Sequence, residues 1–121
     1  MASILIIDDE RDFTRALSNL LAETYRVLTA HTGGEGLGIL EKETVDLVLL
    51  DLRLPDMSGM KTLEKIKSTE KNIPVIMLTG YGEVKSAVEA MKKGASHYLT
   101  KPVNEDELAV LMEKALESGK V

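Results

Sequence analysis

The chain has 121 residues, with 15 Lys plus Arg against 20 Asp plus Glu, two His and no Cys. That length is one domain able to bury a core without covalent staples, and 44% hydrophobic with 29% charged residues is an ordinary globular composition. The missing cysteines exclude disulfides, thiolate metal sites and thiol nucleophiles, and the net charge of −5 lacks the basic footprint of a nucleic-acid binder.

Residues 4–7 (Ile-Leu-Ile-Ile) open the chain as a short apolar run with no basic region ahead of it, so it reads as a strand rather than a signal peptide. Phe13, Ala16, Leu17, Leu20 and Leu21 follow at i, i+3, i+4, i+7 and i+8, one face of an amphipathic helix. Residues 26–30 form a second run, after which Thr32 and Glu35 have capping-box spacing. Residues 47–50 are the third run, and Ser58 is a natural N-cap for the helix beyond it. Residues 75–78 are the fourth. Val84, Ala87, Val88 and Met91 then make a shorter stripe, with Gly94 just past its end. Residues 97–100 are the fifth run, and Asn104 caps a last helix striped by Leu108, Leu111, Met112, Ala115 and Leu116. Met60, Met77, Met91 and Met112 read as core filler. Gly119-Lys120-Val121 reads as a tail.

Three of the runs are apolar at nearly every position, the pattern of strands covered on both faces in a parallel sheet. Five alternations of strand and helix joined by right-handed crossovers predict a single α/β, doubly wound (βα)5 domain over residues 1–121. No segment reaches the roughly 18 apolar residues of a membrane span. No membrane contact is therefore expected, and the location is expected to be cytoplasmic.

Ligands of such sheets bind beyond the carboxyl ends of the strands. The first strand ends in Asp8-Asp9, the third in Asp51, the fourth in Thr79 and the fifth in Lys101, whereas the second ends in Ala30 and His31, beyond the switch point. Singly, each has an ordinary explanation: Asp8 or Asp9 as a helix cap, Asp51 as a turn residue before Leu54-Pro55-Asp56, Thr79 as a small residue before a glycine loop, Lys101 as a surface lysine. Jointly they place three carboxylates, a hydroxyl and an ammonium at one end of one sheet. Three neighbouring carboxylates must share a proton or a cation. An all-oxygen set with few protein ligands suits Mg²⁺. A carboxylate can also attack phosphorus to give an aspartyl phosphate, with Mg²⁺, Lys101 and Thr79 neutralising the equatorial oxygens. Asp51, on the central strand, is the natural nucleophile. Four acids, Asp8, Asp9, Glu10 and Asp12, against Arg11 put −3 of the net −5 into the first twelve residues, part of a cation site rather than a solubility device.

At this point the sequence resembles the CheY-like receiver domains of two-component response regulators. The matching residues are Ile-Leu-Ile-Ile-Asp8-Asp9-Glu10, Asp51-Leu-Arg-Leu-Pro55-Asp-Met-Ser-Gly59, Leu78-Thr79-Gly80, Gly94-Ala95 and Tyr98-Leu-Thr-Lys101-Pro102. The resemblance implies a flavodoxin-like, CheY-like sheet of order 2-1-3-4-5. It implies that Asp51 accepts phosphate from the phosphohistidine of a sensor histidine kinase, and that Asp8, Asp9, Asp51 and the backbone carbonyl of Arg53 hold Mg²⁺. Thr79 and Lys101 bind the phosphoryl group, Tyr98 is the aromatic switch, and the Lys101-Pro102 bond is cis. Such a domain is a switch, not an enzyme beyond its own phosphoryl transfer and autodephosphorylation. Residues 78–95 look like the NtrC-like subgroup, whose receivers regulate an ATPase module and a DNA-binding module. Neither is present in these residues, so the chain is expected to be an excised receiver or a stand-alone one. Transcription regulation is the implied output, and a phosphorylation-dependent homodimer through the fourth and fifth helices is compatible with the same resemblance.

Pro55 and Gly59 are expected to shape the loop after the third strand. Arg53 and Tyr81, two positions after Asp51 and Thr79, occupy places that in the family influence phosphate lifetime. His31 and His97 read as strand-end residues, and no third His or Cys makes a zinc site. A haloacid-dehalogenase-type phosphatase would need an acid two residues after the nucleophile, where Arg53 stands. A flavodoxin-like FMN binder would meet a repelling Asp8-Asp9-Glu10 loop, with one Phe and no Trp to stack the flavin. A degenerate receiver is disfavoured because all five key positions are intact.

Overall fold

Ile4, Leu5, Ile6 and Ile7 are all fully buried, as are Leu47 through Leu50 and Val75 through Leu78. Successive strand residues point to opposite faces, so such runs require cover on both sides. A computed structural model, describing residues 1–80 and 83–118, provides it. The order is β1 (Ser3–Ile7), α1 (Arg11–Leu21), β2 (Arg26–Ala30), α2 (Gly33–Lys42), β3 (Leu47–Asp51), α3 (Gly59–Lys67), β4 (Val75–Thr79), α4 (Val84–Lys92), β5 (His97–Thr100) and α5 (Glu105–Ser118). Tyr81 and the expected tail at 119–121 lie outside the described residues.

The strands are parallel in the order β2-β1-β3-β4-β5, as the resemblance implies. On one face Leu5, Ile7, Val48, Leu50 and Met77 pack with Leu40 of α2, Leu63 and Ile66 of α3, and Ala90 of α4. On the other, Ile4, Ile6, Leu47, Leu49, Ile76 and Leu78 pack with Leu17 and Leu21 of α1 and Leu108, Met112 and Ala115 of α5. Each such Leu or Ile contributes about 1.5–3 kcal/mol by leaving water. β3 and β4 extend one residue past their apolar runs, so Asp51 and Thr79 are the last residues of their strands, in register with Leu78 and Thr100.

The expected helix signals operate. Thr32 Oγ1 accepts the Glu35 N–H at 3.0 Å, Ser58 Oγ that of Lys61 at 3.0 Å, and Asn104 Oδ1 that of Glu107 at 2.9 Å. Gly94 takes φ +107° after α4. There Ala95 N–H reaches Ala90 O at 3.1 Å and Gly94 N–H reaches Met91 O at 3.2 Å, the double bond of a left-handed helix stop.

The apolar stripes need two corrections. In α4, Val84, Val88 and Met91 face solvent, at 64%, 46% and 39% exposure, while Ala87 and Ala90 face the sheet. Met91 is therefore not core filler. Two methyl groups let the helix sit close to the sheet, and the bulkier neighbouring stripe is left outside. In α1, Leu20 is exposed and Ala16 is not buried, the inward face being Thr14, Leu17 and Leu21. Among the described residues no helix is long and apolar enough to cross a membrane.

Candidate metal and phosphoryl-acceptor site

Parallel pairing delivers the expected side chains to one end of the sheet. Asp8 follows β1 and is fully buried, Asp51 ends β3 and is nearly so, and Asp9 is exposed at the rim. Each of the three offers a carboxylate oxygen, and these oxygens all lie within 4.8 Å of one another. Lys101 Nζ reaches in from beyond β5, 2.7 Å from Asp8 Oδ2, 2.9 Å from Glu10 Oε1 and 3.9 Å from Asp51 Oδ1. Its peptide bond to Pro102 is cis. The Lys101 N–H donates to Thr79 O at 2.7 Å, locking the end of β5 to β4. Thr79 is buried and its hydroxyl donates to Leu99 O at 3.3 Å, a long bond on the β5 side.

Burial against the neighbouring Asp8 charge pushes the Asp51 carboxyl up to about 6; the Lys101 ammonium, and a hydrogen bond from the Arg53 backbone N–H, oppose the rise. Burial works against the Lys101 charge too, but Asp8 and Glu10 outweigh it and hold its pKa above the ordinary lysine value. Asp8 Oδ2 is buried and has the Lys101 ammonium, at 2.7 Å, as its one close partner. A buried carboxylate oxygen with spare lone pairs, among two further carboxylates, is what a hard divalent cation fits.

The loop after β3 is pulled tight beneath this cluster. Gly59 N–H donates to Leu52 O at 2.7 Å, and a Cβ on Gly59 would stand 2.2 Å from Asp51 O, so no side chain is possible there. Asp56 then anchors the loop outward: its carboxylate accepts the Gly33 and Gly34 N–H groups, each at 2.8 Å, at the start of α2.

Residues 4–113 match the response regulator receiver domain model. The chain belongs to the response regulator receiver family. Transcriptional regulatory protein GlrR of Escherichia coli K12 is 41% identical over 119 residues, 98% of this chain and 27% of that one. Regulatory protein AtoC of the same organism is 40% identical over 115 residues, 94% of this chain and 25% of its own. The receiver thus spans about a quarter of these relatives. Among solved structures, a receiver domain protein from Clostridium thermocellum superimposes with a TM-score of 0.93 at 38% identity, covering 99% of this chain and 98% of its own. The receiver domain of NtrX from Brucella abortus does so at 0.90 and 32%, covering 94% and 98%. Receiver domains are signalling switches, and this one matches the receiver portion of two-component transcriptional regulators.

Several residues around the receiver's site went unassigned in the sequence. Phe13, read only as a core position of α1, places its ring 4.4 Å from Lys101 Nζ, a cation–π contact. Glu10 is an ion-pair partner of the same lysine. His31, read as a strand-end residue, directs Nδ1 at the Asp8 carbonyl at 3.0 Å, so that nitrogen carries the proton. Glu83 pairs with Arg53 across the mouth of the cleft. Of these only Glu10 stands in a motif, and its pairing with Lys101 is no part of that motif. Only the placement of β2, α1 and α4 around the strand ends reveals them.

Proposed function

We propose that Asp51 is the phosphoacceptor of this receiver. Asp8, Asp9, Asp51 and the backbone carbonyl of Arg53 are the ligands for Mg²⁺, which supplies charge neutralisation at the phosphoryl oxygens when bound. The Asp51 carboxylate attacks phosphorus of a kinase phosphohistidine, and the P–N bonding pair leaves with the imidazole. Lys101 and Thr79 take the phosphoryl oxygens. The observation that carries this reading is the convergence of three carboxylate oxygens within 4.8 Å with an ammonium 3.9 Å from Asp51.

The switch follows from the same atoms. To reach a phosphoryl oxygen the Thr79 hydroxyl gives up its 3.3 Å bond to Leu99 O and moves inward, and Tyr98, 41% exposed on β5, fills the space it leaves. Hydrogen bonds to a charged group contribute about 1.5–3 kcal/mol each, and inverting a 1:99 equilibrium takes about 5.5 kcal/mol. Two or three new contacts suffice to repack the face of α4, β5 and α5. The partners are a sensor histidine kinase and, by the NtrC-like resemblance, an ATPase and DNA-binding output that regulates transcription in the cytoplasm. Net charge −5 supports contact with nucleic acid only through such a module. Exposed Val84, Val88, Met91, Tyr98 and Val110 support a phosphorylation-dependent homodimer through α4 and α5, read as a doubling of solution mass with beryllofluoride.

Labelling by acetyl phosphate with Mg²⁺ tests the acceptor. The parent protein gains one acid-stable, hydroxylamine-labile phosphate and Asp51→Asn gains none; undiminished labelling of the variant rejects the assignment.

A further inference from the structure

Arg53 and Glu83 form an ion pair at the mouth of the cleft that contains Asp51. The two ends are unequal. The Arg53 side chain is 83% exposed, that of Glu83 only 15%. Arg53 stands two residues past Asp51 and bonds it through its backbone N–H. Glu83 immediately precedes α4 and its carbonyl accepts the Ala87 N–H at 3.0 Å. Ser, Thr, Asp or Asn in this position ordinarily offers its side chain to the first free N–H groups of the helix. The Glu83 side chain makes no such cap and turns into the cleft instead, tying the first turn of α4 to the loop after β3.

The cleft is rich in acid. Asp9, Glu10, Asp51 and Glu83 line it, with Arg53 and Lys101 as the cations among the described residues. Lys101 is held inside by Asp8 and Glu10. A phosphoryl group on Asp51 raises the negative charge to about −1.5 to −2 and presents three acceptor oxygens. An ion pair whose cation stands in solvent, as Arg53 does, is weak, whereas guanidinium binds phosphate with two parallel hydrogen bonds.

We propose that Arg53 is an exchangeable counter-charge, paired with Glu83 while Asp51 is unmodified and transferred to the phosphoryl oxygens afterwards, so that Glu83 and the first turn of α4 are released together. This rests on Asp51 being the phosphoacceptor. The exchange links the chemistry directly to the helix whose outer face carries Val84, Val88 and Met91, separately from Thr79 and Tyr98. By reciprocity, a partner that grips α4 with Glu83 released favours the phosphorylated form.

The test is a double-mutant cycle on beryllofluoride affinity in Mg²⁺ at low salt, using the parent protein, Glu83→Gln, Arg53→Ala and the double variant. Glu83→Gln tightens binding about 1.5- to 5-fold, the range of an exposed ion pair, and the gain shrinks in high salt. In the Arg53→Ala background the same substitution changes nothing. The Val84, Ala87 and Val88 amide shifts of free Glu83→Gln move toward their beryllofluoride-bound positions. A gain that survives without Arg53 overturns the exchange, since Glu83 then acts as a repelling charge, and so does an unchanged affinity. Stationary α4 shifts overturn the coupling to the helix. Failure of the parent protein to bind beryllofluoride overturns the assignment of Asp51 and the exchange together; binding with a null cycle overturns the exchange alone.

Discussion

Asp51 is held where negative charge is disfavoured, and this has a measurable sign. Its carboxyl titrates near 6 in the folded chain against an ordinary 3.8. The native state therefore binds a proton that the unfolded state has released; that stabilisation is full below about 3.8 and lost as pH rises through about 6. At pH 7.5 in EDTA, Asp51→Asn should be more stable than the parent by about 1–2 kcal/mol. This is discounted from the roughly 3 kcal/mol of the full shift because the side chain faces an open cleft. The gain should vanish as pH falls to 4. Urea unfolding followed by circular dichroism measures it, and a gain that persists at pH 4 contradicts the electrostatic origin. The same proton competes with metal: below about 6 the apparent Mg²⁺ affinity should fall about tenfold per pH unit, readable by titration calorimetry. That Asp8, Asp9, Asp51, Thr79 and Lys101 lie together was legible because strand ends in a parallel sheet are predictable places. Phe13 and His31 were not, since each serves the site by a contact between elements that no local pattern encodes.

At the scale of elements, the loop between β3 and α3 is held by two devices of different kinds. Gly59→Ala drives a methyl into the Asp51 carbonyl and should cost about 1–3 kcal/mol, with weakened Mg²⁺ binding because the backbone at Arg53 shifts. Equal urea midpoints for the variant and the parent would refute the close approach. Asp56 accepts two N–H groups at the start of α2, which holds its carboxyl below the usual range. Asp56→Ala should speed hydrogen exchange at Gly33 and Gly34 several-fold while leaving the core strands protected. The caps at Thr32, Ser58 and Asn104 and the Gly94 stop were readable because each is a local hydrogen-bonding pattern. The facing of α4 was not. Its valines satisfy helical periodicity, yet the distance to the sheet is set by Ala87 and Ala90, and that distance is a tertiary property.

For the whole molecule, periodicity predicted strands, helices and covered faces, whereas the order β2-β1-β3-β4-β5 came through resemblance, because five similar apolar runs do not by themselves say which is central. An ion bound only by the folded state raises the stability of the entire domain: Mg²⁺ at 100 times its Kd should add about 2.7 kcal/mol to unfolding, and the Asp8→Ala variant should lose most of that increment. A metal-independent unfolding curve for the parent protein would contradict the site. Val88→Glu, at an exposed position, should leave stability within about 0.5 kcal/mol, while Ala90→Leu on the same helix overpacks the core and should cost about 1–3 kcal/mol. That contrast has an evolutionary consequence. Because the fold grips α4 through two alanines, the identities of residues 84, 88 and 91 are only lightly constrained by folding, and a duplicated copy of this domain can rewrite them at little cost in stability. Copies of the domain can thereby diverge on their outer face while their fold and the ends of their strands stay the same, since that face is a surface the core never reads.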